Sequence, residues 1–247
     1  MRFVGRGHEL ELLQSRVTSA QQGHGQVVGI VGKPGIGKSR LLTEVRRRLT
    51  TDQILYLEGR CLSYGSAVPY LPVLGLLRQQ CGISETDDPE VITQKVHRGL
   101  QAAGLDAEDG APYLLQLLGV RARTEQLNLL SPEALKARTF VLLRRLLLNA
   151  GHPRLRILAV EDLQWIDKTS EDFLVSLIES LPGAPGVLLV TYRSGYRLPW
   201  LEKSFATQVA LQPLSPQESR AVLQSLFPTA PLPESPSGKF MRDYRVF

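Results

Sequence analysis

One run of fourteen residues limits the fold of this chain more than any other: Gln26 to Ser39, QVVGIVGKPGIGKS. Its first six residues are mostly apolar and β-branched, which reads as a buried strand. A glycine-rich turn follows at once. Beyond it, Ser39–Leu49 sets Leu41, Leu42, Val45 and Leu49 on one side of a helix. Glycines let backbone N–H groups curl around an anion without Cβ clashes, and the positive end of the next helix points at the same place. Gly32-x-x-x-x-Gly37-Lys38-Ser39 between a strand and a helix is therefore a phosphate loop, made of Gly32, Lys33, Pro34, Gly35, Ile36, Gly37, Lys38 and Ser39, with Arg40 next. Lys38 is expected to reach terminal phosphates, the Ser39 hydroxyl to ligate Mg²⁺, and Pro34 to stiffen the turn. The expected ligand is ATP, or ADP, with Mg²⁺.

A phosphate loop needs a sheet behind it, and the rest of the chain supplies candidates. Residues 8–22 read as a helix closed by Gly23 and Gly25, and Ile54–Glu58 as a second strand. From 60 to 150 the sequence predicts only helices: Pro69–Gln80, Glu90–Ala102, Ala111–Leu118, and one from the Ser131 cap and Pro132 to about Leu148. Strands resume at Arg156–Val160, Val187–Tyr192 and Thr207–Leu211, with helices at 170–180 and from Ser215 to Leu226. Strands alternating with helices predict a parallel sheet covered on both faces, interrupted by a helical insertion over about 60–150. From Pro228 the chain is proline-rich and reads as a disordered or truncated tail over 228–247.

Mg²⁺ takes oxygen ligands and needs a second anchoring carboxylate. The strand Arg156–Val160 runs directly into Glu161-Asp162, on the edge where ligands bind in such sheets. One acid can hold the metal and the other can orient or deprotonate a water. By position Glu161 is the metal candidate and Asp162 the water-activating one, with the opposite assignment left open. Arg193 follows the next strand and lies on the same edge, where a cation could touch the γ-phosphate or stabilise its developing charge.

Further motifs give these residues a family. Phe3-Val4-Gly5-Arg6 with Glu9-Leu10 resembles the entry box of signal-transducing ATPases with numerous domains, the STAND class, and more narrowly their bacterial AAA-like subgroup. Val160-Glu161-Asp162-Leu163-Gln164-Trp165-Ile166-Asp167 is similar to that subgroup's second acidic motif, and Thr191-Tyr192-Arg193 to its third. Leu211–Ser215 resembles the start of its lid, placed here at about 213–227. The stretch from Gly59 to Pro72 is also similar, particularly to chains fused to nucleotide cyclases, helical repeats or LuxR-type regulators. The resemblance covers about residues 1–227. It implies an α/β P-loop NTPase fold of the ASCE, AAA-like type, with a five-stranded parallel sheet and the phosphate-loop strand central.

It also implies that Val4, Gly5 and Arg6 sit near the adenine. ATP or ADP occupancy would switch a regulator between closed and active forms, the latter often a homo-oligomer. Slow ATP hydrolysis is expected, with the effector domain or partner protein outside this chain, which reads as a truncated or fragmentary member. Gln164 stands where many relatives carry histidine.

Two other readings are an origin-recognition-like or clamp-loader-like ATPase acting on DNA and a fragment that binds nucleotide without hydrolysis. The first requires a DNA-binding domain that this chain does not show. The net charge of +5 would permit an acidic partner, but the basic residues are scattered. Arg46-Arg47-Arg48 reads as a solvated helix face.

No stretch is long and apolar enough for a membrane helix, the N-terminus has no signal-peptide core, and a cytoplasmic location is expected. Cys61 and Cys81 read as two reduced thiols. His8, His24, His97 and His152 are too scattered for a metal site. Trp200, Tyr64 and Tyr70 read as packing residues.

Overall fold

A computed structural model describes residues 3–49, 53–64, 68–120, 127–148 and 154–226. Residues 228–247 and His152 lie outside them. In chain order the elements are α1 (Gly7–Gln21), β1 (Gln26–Val31), α2 (Lys38–Leu49), β2 (Ile54–Arg60), α3 (Leu71–Cys81), α4 (Pro89–Ala102), α5 (Ala107–Leu117), α6 (Pro132–Leu148), β3 (Leu155–Glu161), α7 (Lys168–Glu179), β4 (Gly186–Tyr192), β5 (Ala206–Ala210) and α8 (Pro216–Leu226).

The five strands form one sheet in the order β2-β3-β4-β1-β5, every neighbouring pair parallel. Helices cover both faces, because side chains alternate across each strand and both sides are apolar. On one face Val28, Ile30, Ile157, Ala159, Val187 and Leu189 pack under Leu13 and Val17 of α1 and Leu41, Leu42 and Val45 of α2. On the other, Val27, Leu57, Leu158, Val160, Leu188 and Val190 meet leucines of α3–α6 together with Phe173 and Leu177 of α7.

The phosphate-loop strand is inside the sheet but not central, which corrects one expectation. The middle position belongs to β4, whose seven residues are all buried. Strands β3, β4 and β1 each have a neighbour on both edges and are buried almost throughout, and β4 lies between the other two. The weakly apolar β5 takes the outer edge, so β1 lies one strand in. The order matters for chemistry: the chain segment leaving β4 falls between the phosphate loop and the acids after β3.

Between β2 and β3 the regular elements among the described residues are all helical. Asp88 caps α4 by accepting from the Glu90 and Val91 N–H groups, and Asp106 caps α5 through Glu108 and Asp109. Helix α5 therefore starts at Ala107, four residues earlier than expected; Pro112 looks like a helix start but lies inside it. Similarly α7 starts at Lys168, capped by Asp167. No helix among the described residues is long and apolar enough to cross a membrane.

Candidate functional site

The turn after β1 closes through the Ile36 N–H, which donates to Lys33 O at 3.3 Å. Gly35 and Gly37 take φ of 72° and 100°, the left-handed region that side chains resist. A Cβ on Gly32 would come within 2.7 Å of Ile36 Cγ2, so the turn also needs its first glycine for close approach. The first turn of α2 leaves N–H groups with no acceptor inside the helix, and they face the mouth of this loop.

Lys38, 7% exposed, donates from Nζ to Gly32 O at 3.1 Å and Lys33 O at 3.2 Å. Burial pulls its pKa below the ordinary lysine value; Asp162 opposes this, Arg193 adds to it and Glu161 opposes it. These three charged neighbours meet at Lys38. One ammonium on α2 feels two carboxylates from the end of β3 and one guanidinium from the end of β4.

The Ser39 hydroxyl donates to Glu161 Oε2, a contact between the start of α2 and the last residue of β3. Asp162 has left-handed φ of 62°, and its N–H donates to Thr191 Oγ1 at 3.0 Å. The Arg193 guanidinium lies over the Trp165 ring, 5.6 Å from its centroid. Pro34, Gly35, Gly37, Lys38, Ser39, Arg40, Asp162 and Arg193 line one cleft of about 310 Å³. The sequence-derived loop, acids and arginine thus converge at the C-terminal edge of the sheet, where ligands bind in open parallel sheets.

Val4, Gly5 and Arg6 are not among the residues lining that cleft. They reach the loop through Arg6, whose guanidinium donates to Ile36 O at 3.3 Å, Gln212 O at 2.5 Å and Glu9 Oε1 at 3.1 Å. Phe3 packs beneath the Arg40 guanidinium, 5.9 Å from its ring centroid. A Cβ on Gly5 would collide with Leu214 and Glu218, so the entry box and the start of α8 lie against each other.

Three residues that the sequence placed inside motifs, without a role of their own, also contribute. Thr191 orients the Asp162 backbone, Gln164 touches both Asp162 and Arg193, and Trp165 carries the Arg193 guanidinium. Their signal was membership of the two motifs, Val160–Asp167 and Thr191–Arg193; the contacts between them had none. The cysteines are both free, and burial pushes each thiol up to about 12, which makes them poor nucleophiles.

A phosphate loop, two acids after a parallel strand and an arginine after its neighbour define a P-loop ATPase of AAA-like architecture. The chain belongs to the AAA ATPase domain family, whose model matches residues 2–190. Over 230 residues it is 30% identical to an uncharacterized protein of Rhizobium meliloti (strain 1021), a match covering 92% of this chain and 22% of the relative. The chain thus spans about a fifth of that relative's length.

Among solved structures, Drosophila ORC bound to DNA is similar at 15% identity and a TM-score of 0.50, covering 93% of this chain and 47% of that one. That likeness concerns the fold. A STAND protein with a tetratricopeptide repeat sensor from Pyrococcus horikoshii aligns at 18% identity and a TM-score of 0.44, over 97% of this chain and 28% of that one.

Proposed function

We propose that this chain is the Mg·ATP-binding switch module of a larger signalling regulator, with slow ATP hydrolysis. The observation that carries this reading is the contact between the Ser39 hydroxyl and Glu161 at the mouth of the phosphate loop. It sets two oxygen donors side by side within reach of any phosphate seated in the loop. Among the described residues no three His, Cys, Asp or Glu side chains gather into a metal cluster. A cation here would therefore depend on Ser39, Glu161 and phosphate oxygens, the donor set that suits Mg²⁺. The residues fit the ligand: the cradle is open, no Cβ narrows it at Gly35 or Gly37, and Lys38 supplies charge.

When bound, Mg²⁺ neutralises charge on the terminal phosphates, and Ser39 and Glu161 are the side chains that would hold it. Lys38 exchanges the Gly32 and Lys33 carbonyls for phosphate oxygens. Asp162 faces the same cleft, bent away from the strand axis, and orients the attacking water as its proton acceptor. Arg193 balances charge on the transferred phosphoryl group. The entry box supports the adenine end, and Arg6 ties that end both to the loop and to the chain leaving β5. A change in loop geometry is thereby transmitted to α8, which is how a nucleotide could switch a following lid, effector domain or second copy. A cytoplasmic location fits two free thiols, Cys61 buried and Cys81 half-buried.

ATP turnover by the purified chain, compared with a Glu161→Gln/Asp162→Asn variant, tests hydrolysis. The parent should release phosphate slowly while the variant retains nucleotide and loses turnover. Equal background rates would leave a nucleotide-binding module without catalysis.

A further inference from the structure

Two groups of the cleft come from different strand ends, and one side chain joins them. Gln164 sits in the short 3₁₀ turn Leu163–Trp165 after β3. Its Nε2 donates to Asp162 Oδ1 at 3.0 Å, and its Oε1 accepts the Arg193 N–H at 3.1 Å. A backbone N–H can only donate and an ionised carboxylate can only accept. The bridge therefore needs one donor end and one acceptor end, which also settles the orientation of the amide. The next residue, Trp165, lies against the guanidinium of the same arginine. Arg193 is thus gripped twice by this turn, at its backbone by Gln164 and at its charged head by Trp165.

We propose that Gln164 is a positioning residue that locks Asp162 and Arg193 into one unit. The proposal rests on the hydrolytic reading of those two residues and deepens it. A base and a cation carried on separate strand ends act on one phosphoryl group only if their relative placement is fixed. Without the amide, Asp162 loses a donor to its carboxylate, and the Arg193 N–H loses its acceptor. Leucine offers neither end of the bridge. Glutamate keeps the acceptor but sets a second carboxylate against Asp162. Neutral histidine keeps one donor and one acceptor, so it is the substitution that can restore the link.

The experiment uses the full chain with Trp200→Phe, which leaves Trp165 as its single tryptophan, and adds Gln164→Leu, Gln164→Glu or Gln164→His. Single-turnover ATP hydrolysis should fall about ten- to a hundred-fold in the Leu and Glu variants, with ATP affinity within about two-fold of the parent. At pH 8, where imidazole is neutral, the His variant should recover to within about five-fold. Trp165 emission should already differ in the Leu variant before nucleotide is added, because the guanidinium is no longer fixed over the ring. A Leu variant that keeps the full rate, or the parent's Trp165 emission, overturns the proposal. So does a parallel loss of rate and ATP affinity, which would mark a purely structural role. If the parent itself turns over no ATP, the hydrolytic reading falls, and the emission comparison alone decides the role of Gln164.

Discussion

Residues 32–39 keep their shape through backbone groups, whereas the helices α3–α6 keep theirs through leucines. In the loop, a lysine is held by two carbonyls and two glycines take left-handed angles. In the helical block, Leu76, Leu77, Leu100, Leu114, Leu143 and Leu146 are fully buried, and aspartates close the starts of α4 and α5. The first arrangement presents donors outward and buries little; the second buries much and presents little. Chemistry and stability are therefore housed in separate parts of one chain, and substitutions should separate them.

The largest effect should come from the block. Leu143→Ala removes a fully buried side chain, and urea titration should show a loss of about 3–4 kcal/mol with the ATP affinity of the folded protein unchanged. A large fall in affinity would mean that the block and the loop are one mechanical unit. Lys38→Ala should do the reverse. Calorimetric titration should show ATP binding about a hundred-fold weaker, near 2.7 kcal/mol, while the melting temperature stays within a few degrees. Its ammonium is desolvated in the folded protein, so deleting the side chain removes a cost as well as two hydrogen bonds. Full ATP affinity in this variant would sink the phosphate-loop reading.

A smaller effect tests the helix that carries the loop. The Glu44 carboxylate accepts from Arg47 and Arg48, and the Arg47 bond foremost holds its pKa at about 2 against an ordinary 4.5. A depressed pKa means that the folded state prefers the ionised form. Its contribution is fully present above pH 4.5 and is lost as the pH falls toward 2. Glu44→Gln should cost about 1–2 kcal/mol at pH 7, discounted because both arginines reach solvent, and nothing near pH 2. A pH-independent difference would place the effect in packing instead. Smallest of all, Asp106→Ala should cost about 1 kcal/mol by uncapping α5, with nucleotide affinity unchanged.

The same division governs how much could be read from the sequence. Strands β1, β3 and β4 showed as continuous apolar runs because parallel strands buried on both faces have no polar side to alternate with. The phosphate loop was legible because its requirements are local: glycines, a lysine and a hydroxyl at fixed offsets. Strand order was not, since nothing local says that β4 rather than β1 takes the middle. Nor was the Gln164 bridge, whose acceptor end meets a residue 29 positions away, or the Arg6 contact with Gln212, 206 positions away. Helix α5 starts at Ala107 and not Ala111 because the Asp106 side chain caps it there, and the helix runs on through Pro112.

The place of β1 in the sheet has a consequence for synthesis. Of the five strands this one leaves the ribosome first, yet both of its hydrogen-bonded neighbours, Gly186–Tyr192 and Ala206–Ala210, are the last two to be translated. Until then α1 and α2 can shield one of its faces, but its edges stay unpaired. Pairing across such a span of chain is slow, and an apolar strand left waiting is the kind of segment that chaperones engage. The platform beneath the phosphate loop is thus completed only once β5 has been made, so a nascent chain that stops before β4 holds the loop's residues without either strand that pairs with β1.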